Sequence, residues 1–423
     1  MHSTTWNSPS VMTRCWIVLM LMAFAGLGHF NRVGISVAGS EVFIKHLGLT
    51  AKEMGWVYTT FLIVYTIGML PGGWLIDRIG AAKALTLFGL SMGTFVALTG
   101  TLGWMTTTPT TLWLGLLLVR GIAGVCNSPL HPGAAHVVSD LTSARWRATA
   151  NGMVTAGALL GIAGCYPLFG WLMDKVTWPW AFVLSGGVLV SFGMAWHLFA
   201  QPTLPAPQEV PSSKVEQGNL DAGWALLRQS NLWLLGLSYA AFGYFQYLFF
   251  YWMAYYFENI LHVSEFDSRL AALFITLSQA AGMAIGGFST DGVCKLLGTS
   301  WGRRSIVMCG MCLAAVFGLK GVSVTGLWSI TMWLALSMAA LGLCEGVFWT
   351  TATDLGGKSR GFSGAFMNTC GNVGGLISPV LTPYLAEGMG WQAAIAVACV
   401  ISGIGGLVWF GIQLPQAPLE KEL

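Results

Sequence analysis

The chain has 423 residues, of which 55% are hydrophobic and only 9% charged, against about 25% charged in an ordinary soluble domain. That composition excludes a water-soluble globule. Twenty Lys and Arg against 17 Asp and Glu leave a net charge of +3, too small and too dispersed along the chain to suggest a nucleic-acid partner.

Where charge is missing is more informative than its total. The first apolar segment, Cys15 to Ala38, is interrupted only by Arg32. The residues ahead of it lead in without an A-x-A-like end, which reads as a first membrane span rather than a cleaved signal. Stretches free of Asp, Glu, Lys and Arg then cover residues 54–76, 84–119, 121–139, 148–173, 176–208, 229–257, 270–290, 305–319, 321–344, 361–386 and 388–419. A span needs roughly 20 apolar residues, so most of these are one span each. The 84–119 stretch holds the third span and the start of the fourth, because Thr106-Thr107-Thr108-Pro109-Thr110-Thr111 breaks it between Trp104 and Trp113, placed like interface anchors. Arg120 then falls inside the fourth span, and Lys320 reads as a loop residue between the ninth and tenth. The expected fold is an all-α membrane protein of twelve transmembrane helices. The expected division is a six-helix bundle over 1–200, a polar cytoplasmic linker over 201–230 and a second six-helix bundle over 231–423.

With the N-terminus inside, thirteen Lys and Arg fall on inner segments and five on outer ones. That bias predicts both termini cytoplasmic, in the plasma (inner) membrane. The nine cysteines lie mostly in apolar runs and read as small packing residues. No cofactor is called for, and no metal-spaced His/Cys cluster is expected. Gly89-x-Ser91-x-Gly93 fits a nucleophile motif but lies in mid-span, away from the strand–turn–helix context that gives it meaning, so an enzyme is not expected.

The two halves repeat each other. Gly73-x-x-x-Asp77 recurs as Gly287-x-x-x-Asp291, and Gly124-Val125-Cys126-Asn127 as Gly342-Leu343-Cys344-Glu345. Small-xxx-small pairs at Gly68/Gly72, Gly157/Gly161, Gly282/Gly286 and Gly371/Gly375 mark spans two, five, eight and eleven, where backbones can approach closely. Polar residues recur on every third span: Asn31 and Arg32, Arg120 and Asn127, Gln246, Glu345. Repeats with polar groups at mid-membrane depth are the sequence mark of a secondary transporter.

Two arginines within spans together cost about 5 to 7 kcal/mol on the translocon scale. On a straight helix Arg120, Asn127 and His131 share one stripe, which with Asn31 and Arg32 suits a guanidinium fork meeting a carboxylate. The bland alternative holds one arginine on backbone carbonyls or on Glu345. Glu345 reads as the only acid well inside a span, so two buried arginines exceed it by one charge and an anionic substrate would offset the excess. Glu345 is a proton-coupling candidate or else a permanent counter-ion, and His29 and His131 are secondary candidates. Tyr244, Tyr247, Tyr251 and Tyr255 share one face of the seventh span. Packing alone could explain that stripe; the functional reading puts the hydroxyls of Tyr247 and Tyr251 on sugar-acid oxygens.

Gly73-x-Leu75-x-Asp77-Arg78-x-Gly80-x-x-Lys83 resembles the loop motif of the major facilitator superfamily. Asn31 to Ala38, Tyr65 ahead of Pro71-Gly72-Gly73-Trp74-Leu75, and Phe348-Trp349 with Asn368-x-x-x-Asn372 look like its anion:cation symporter branch. The resemblance implies uptake of sugar acids or other carboxylates. It adds Tyr65, Trp349, Asn368 and Asn372 to the substrate-contact candidates Asn31, Arg32, Arg120, Asn127, Tyr247 and Tyr251. It gives Arg120 an alternative gating role and makes Asp77 and Arg78 an inner latch with Arg145, Arg147 and Asp291. Proton-coupled relatives carry carboxylates where this chain has Asn31 and Asn127. Uncoupled uniport, anion exchange or solute sensing therefore stand beside proton symport. The expected partners are a small anionic solute, protons if coupled, and membrane lipids, with the protein acting as a monomer.

Overall fold

Local chemistry sets where each helix starts and stops. Thr50 caps helix α2 (Ala51–Ile79) through a reciprocal capping box: its hydroxyl accepts from the Glu53 backbone while the Glu53 carboxylate accepts from the Thr50 backbone at 2.7 Å. Thr108 caps α4 (Pro109–Asn127), where Pro109 starts the helix without losing a needed donor. Gly80, with φ 86°, closes the turn from α2 into α3 (Ala81–Met105), a conformation that only glycine adopts freely.

In the computed structural model, residues 10–142, 144–204, 226–357 and 360–413 are described, and they are almost wholly helical. α1 (Val11–Ala38) runs on through a π-helical turn to Ile44. α5 (Leu130–Leu141) continues the line of α4 after a break at Ser128 and Pro129. α6 (Ala144–Ala195) is two spans joined at Thr177. Then come α7 (Ser230–Tyr255), α8 (Glu265–Leu297), α9 (Thr299–Ser323), α10 (Leu327–Gly342), α11 (Glu345–Gly356), α12 (Arg360–Met389) and α13 (Trp391–Leu407). Among the described residues, eight helical stretches are long and apolar enough to cross a membrane. One of them, Ala150–Thr203, contains the Thr177 bend and so counts as two spans, and α2, α7 and α12 have 29, 26 and 30 residues. The total is the twelve spans of the sequence reading.

The chain divides into two units. In the first, α1 and α3 both pack along α6, and α2 along α4. In the second, α7 packs along α12, and α9 along α10 and α13. The first unit also takes in Ser264–Leu273, the opening turns of α8.

The repeat is visible in the backbone. π-helical turns follow α1 at Gly39–Ile44 and α7 at Tyr256–Ile260. Span four breaks after Asn127, and span ten breaks just before Glu345. Thr177 (φ 70°, ψ 158°) and Gly390 (φ 85°, ψ 156°) close equivalent turns in one conformation. All four small-xxx-small pairs lie at close contacts. A side chain on Gly161 would meet the Gly26 carbonyl, one on Gly286 the Leu343 carbonyl, one on Gly72 the Ser128 hydroxyl and one on Gly375 the Tyr247 ring.

Three expectations change. The fourth span is not a straight helix, because the Ser128-Pro129 step interrupts it. Lys320 is not in a loop but exposed in the last turn of α9, where a cation complements the helix dipole. Arg269, one of the five cations counted on outer segments, is buried at the start of α8. The middle of the predicted linker, 205–225, lies outside the described residues.

Candidate functional site

In the first unit the polar side chains gather on α1. Arg32 is buried, and its guanidinium lies 5.3 Å from the Tyr65 ring and 5.6 Å from that of Phe61. Those rings, one helical turn apart on α2, stack at 6.4 Å and make an aromatic shelf on which a cation is held by the ring quadrupoles. Arg120 stands over the same Phe61 ring at 5.1 Å. Its two Nη atoms donate to the main-chain carbonyls of Asn31 (3.3 Å) and Arg32 (2.8 Å). The two arginines thus differ: Arg120 grips the backbone of α1, while the Arg32 side chain lies along the shelf.

The amides beside them are incompletely satisfied. Asn31 donates to the Leu27 carbonyl at 2.9 Å and toward Ser185 at 3.4 Å, yet its Oδ1 is buried without a partner among the described residues. Both ends of the buried Asn127 amide lack one as well. Such groups cost about 1–3 kcal/mol each and mark a place for water or a ligand. His131, beyond the break in the fourth span, faces His29 with the Nε2 atoms 3.4 Å apart. The stripe of Arg120 and His131 therefore does face one element, α1, despite the break.

Also in the first unit, Arg269 forms a two-pronged pair with Glu41, Nε to Oε1 at 2.8 Å and Nη2 to Oε2 at 2.7 Å, and donates to both oxygens of Asp174. Gly170 leaves room for that guanidinium, since a side chain there would collide with it. Lys45 pairs with Glu265 at 2.9 Å nearby. Glu41 is 4% exposed and Glu258 6%, so Glu345 is not the only acid inside the helical framework. Helix one extends past Ala38 as a π turn, and this carries Glu41 inward.

In the second unit Glu345 opens α11. Its Oε1 accepts from the Tyr239 hydroxyl and from Trp349 Nε1, both at 2.9 Å, while Oε2 is sealed from solvent without a partner among the described residues. No ion pair to Glu345 is present among the described residues. Tyr239 stacks on Phe242 and leans on Phe348, which fixes its hydroxyl. Tyr247 donates to Asn372 Oδ1 at 3.4 Å and lies 6.2 Å from the Tyr251 ring. Asn368 is half-buried one turn before Asn372 on α12.

Arg78 is exposed at the end of α2, whereas the side chains of Asp77, Arg145, Arg147 and Asp291 lie outside the described residues. The sequence reading missed Phe61, Tyr239, Glu41 with Arg269, and Gln279, whose amide is wholly buried and unpartnered among the described residues. Phe61 had a signal, its i,i+4 spacing to Tyr65. Tyr239 had none, since it lies off the tyrosine stripe.

The comparisons bear on this architecture. At 25% identity, 95% of the chain aligns with 93% of a probable galactarate/D-glucarate transporter, GudP, from Bacillus subtilis. A D-galactonate transporter of Escherichia coli is also 25% identical, over 92% of the chain and 93% of its own length. A probable sulfoacetate transporter, SauU, from Cupriavidus necator is 25% identical, with 92% and 91% covered. The inward-facing, unoccupied crystal structure of a bacterial homolog of the human lysosomal transporter Spinster shares the fold, with a TM-score of 0.77 at 15% identity over 96% of this chain and 98% of that one. The Major Facilitator Superfamily model matches residues 18–355 and again 283–423, a doubled match to a chain that repeats itself. The protein is thus an integral membrane transporter and not an enzyme, and it belongs to the major facilitator superfamily.

Proposed function

We propose that this chain is a secondary active transporter of a small organic anion, a sugar acid or another carboxylate. It works by alternating access in the plasma (inner) membrane, as a lipid-embedded monomer with both termini cytoplasmic. The observation that carries the reading is the Arg32 guanidinium seated on the Phe61–Tyr65 shelf in the same unit that buries the unsatisfied Asn31 Oδ1 and Asn127 amide. A fork held flat by two rings presents paired donors to a carboxylate, and the amides accept and donate to hydroxyls. The solutes in the relatives' names are themselves small anions, which supports the same class here. In the second unit, Tyr247, Tyr251, Trp349, Asn368 and Asn372 are the candidates for substrate contact.

Coupling is to protons, carried by Glu345. Its two donors are neutral and its second oxygen is sealed. An ionised carboxylate so placed is costly, while a proton on Oε2 removes the charge without moving the side chain. Uniport or anion exchange is the second reading, favoured by the neutral Asn31 and Asn127.

Thermal unfolding of the purified protein with mono- and dicarboxylates, sugar acids and neutral analogues tests the substrate class. An anion at about 100 times its dissociation constant adds about 2.7 kcal/mol of apparent stability. The expected result is stabilisation of the parent by particular anions and none for Arg32→Ala. Equal stabilisation of both proteins by neutral compounds alone would overturn the reading.

A further inference from the structure

The hydrogen bonds of the His29–His131 pair limit how many protons it can take. His29 Nδ1 lies 3.0 Å from the Ala25 carbonyl oxygen. A carbonyl only accepts, so this nitrogen carries hydrogen, and the Nε2 of neutral His29 is bare. His131 Nε2 lies 3.4 Å from it, so His131 carries its hydrogen there and donates. What remains is the bare Nδ1 of His131. One added proton settles on that atom and leaves both existing hydrogen bonds intact. A second would have to go to His29 Nε2, where two N–H groups would point at each other. The pair thus accepts one proton and no more.

The groups on the elements packed around the pair are as follows. On α1, Arg32 is one helical turn from His29. From α4 comes Arg120, held on the α1 carbonyls. α2 brings Tyr65 and Phe61 to Arg32, and α3 brings Phe88 against Gly28. From α6, Cys165 donates to the Phe30 carbonyl and Tyr166 is buried. α5 itself carries His136 and Asp140, paired with each other on its exposed face. Among the described residues the only side-chain hydrogen bond of either ring is to the other ring, so a positive charge on His131 gains a negative partner only when a ligand brings one.

A monoacid brings one negative charge, which Arg32 matches. Arg120, committed to two carbonyls, does not offer a second fork. A diacid brings a second carboxylate, and the chargeable group one helical turn from Arg32, about 5–6 Å between β-carbons, is this pair. Resting on the organic-anion reading above, we propose that His29 and His131 form a second carboxylate subsite that makes the protein a diacid carrier, binding one proton at His131 Nδ1 together with the distal carboxylate.

The probes are galactarate and galactonate, which differ in having a carboxylate or a hydroxymethyl group at one end. Calorimetric titration of the full-length protein near pH 7 in two buffers of different ionisation heat reads protons taken up per ligand bound. The parent is expected to take up close to one proton with galactarate and close to none with galactonate. His131→Gln keeps a donor toward His29 but has no second nitrogen. It should abolish the uptake and weaken galactarate at least tenfold, while changing galactonate less than about twofold. Equal uptake with both acids, or uptake that persists in His131→Gln, overturns the subsite. If His131→Gln does not fold, the parent's contrast between the two acids still decides. Absence of binding by these acids and by succinate, tartrate and sulfoacetate would instead overturn the organic-anion reading on which the subsite rests.

Discussion

Arg120 and Arg32 look equivalent as letters, yet they have different partners. Two charge-assisted bonds to carbonyls are worth roughly 1.5–3 kcal/mol each, and a lysine's single point charge cannot span both acceptors. Arg120→Lys is therefore expected to lower the stability of the unliganded protein by about 2 kcal/mol. Arg32→Lys should abolish stabilisation by anions, whatever its effect on the unliganded protein. Thermal unfolding with and without ligand separates the two, and anion stabilisation retained in Arg32→Lys but lost in Arg120→Lys would refute the distinction. The sequence could name both arginines, because any charge inside an apolar run stands out. It could not say which one faces main chain, since that depends on where α4 crosses α1.

At the scale of elements, the informative features are where helices depart from regularity. The π turn after α1 brings Glu41 to Arg269 at the start of α8. Removing one partner of a buried pair leaves an uncompensated charge, at about 3–5 kcal/mol. Arg269→Ala is expected to destabilise by that amount, and adding Glu41→Gln should recover a large part of it. A double variant no better than the single in denaturation would show that the pair contributes little through charge. The turn between spans five and six gives an opposite prediction. Thr177 holds a backbone conformation (φ 70°, ψ 158°) that its counterpart position fills with Gly390, at a strain of about 1–3 kcal/mol for a residue with a β-carbon. Thr177→Gly should raise the unfolding temperature; an unchanged or lower value would mean the side chain contributes more than the strain costs.

For the whole molecule the question is what drives flux. If Glu345 carries the coupling proton, Glu345→Gln reconstituted in vesicles should lose uptake driven by an imposed pH gradient while keeping exchange of labelled for unlabelled solute. Full gradient-driven uptake in that variant would remove Glu345 from coupling and move attention to exchange or uniport. Proton uptake at His131 is a separate event, read with the acid bound and no gradient present.

The sequence by itself determined the membrane class, the twelve spans, the repeat and the residues whose burial demands an explanation. Each follows from local rules: about 20 apolar residues to cross hydrocarbon, small residues where backbones touch, and the expense of a charge in a span. Tertiary structure alone decided the partners. It put Phe61 and Tyr65 beneath Arg32, gave Tyr239 to Glu345, turned His131 toward His29 across a broken helix and gathered Glu41, Asp174 and Arg269 from three distant stretches. Hydrogen bonds and ion pairs are decided over about three ångströms, and that proximity is set by how helices cross, which no periodicity within a single helix encodes.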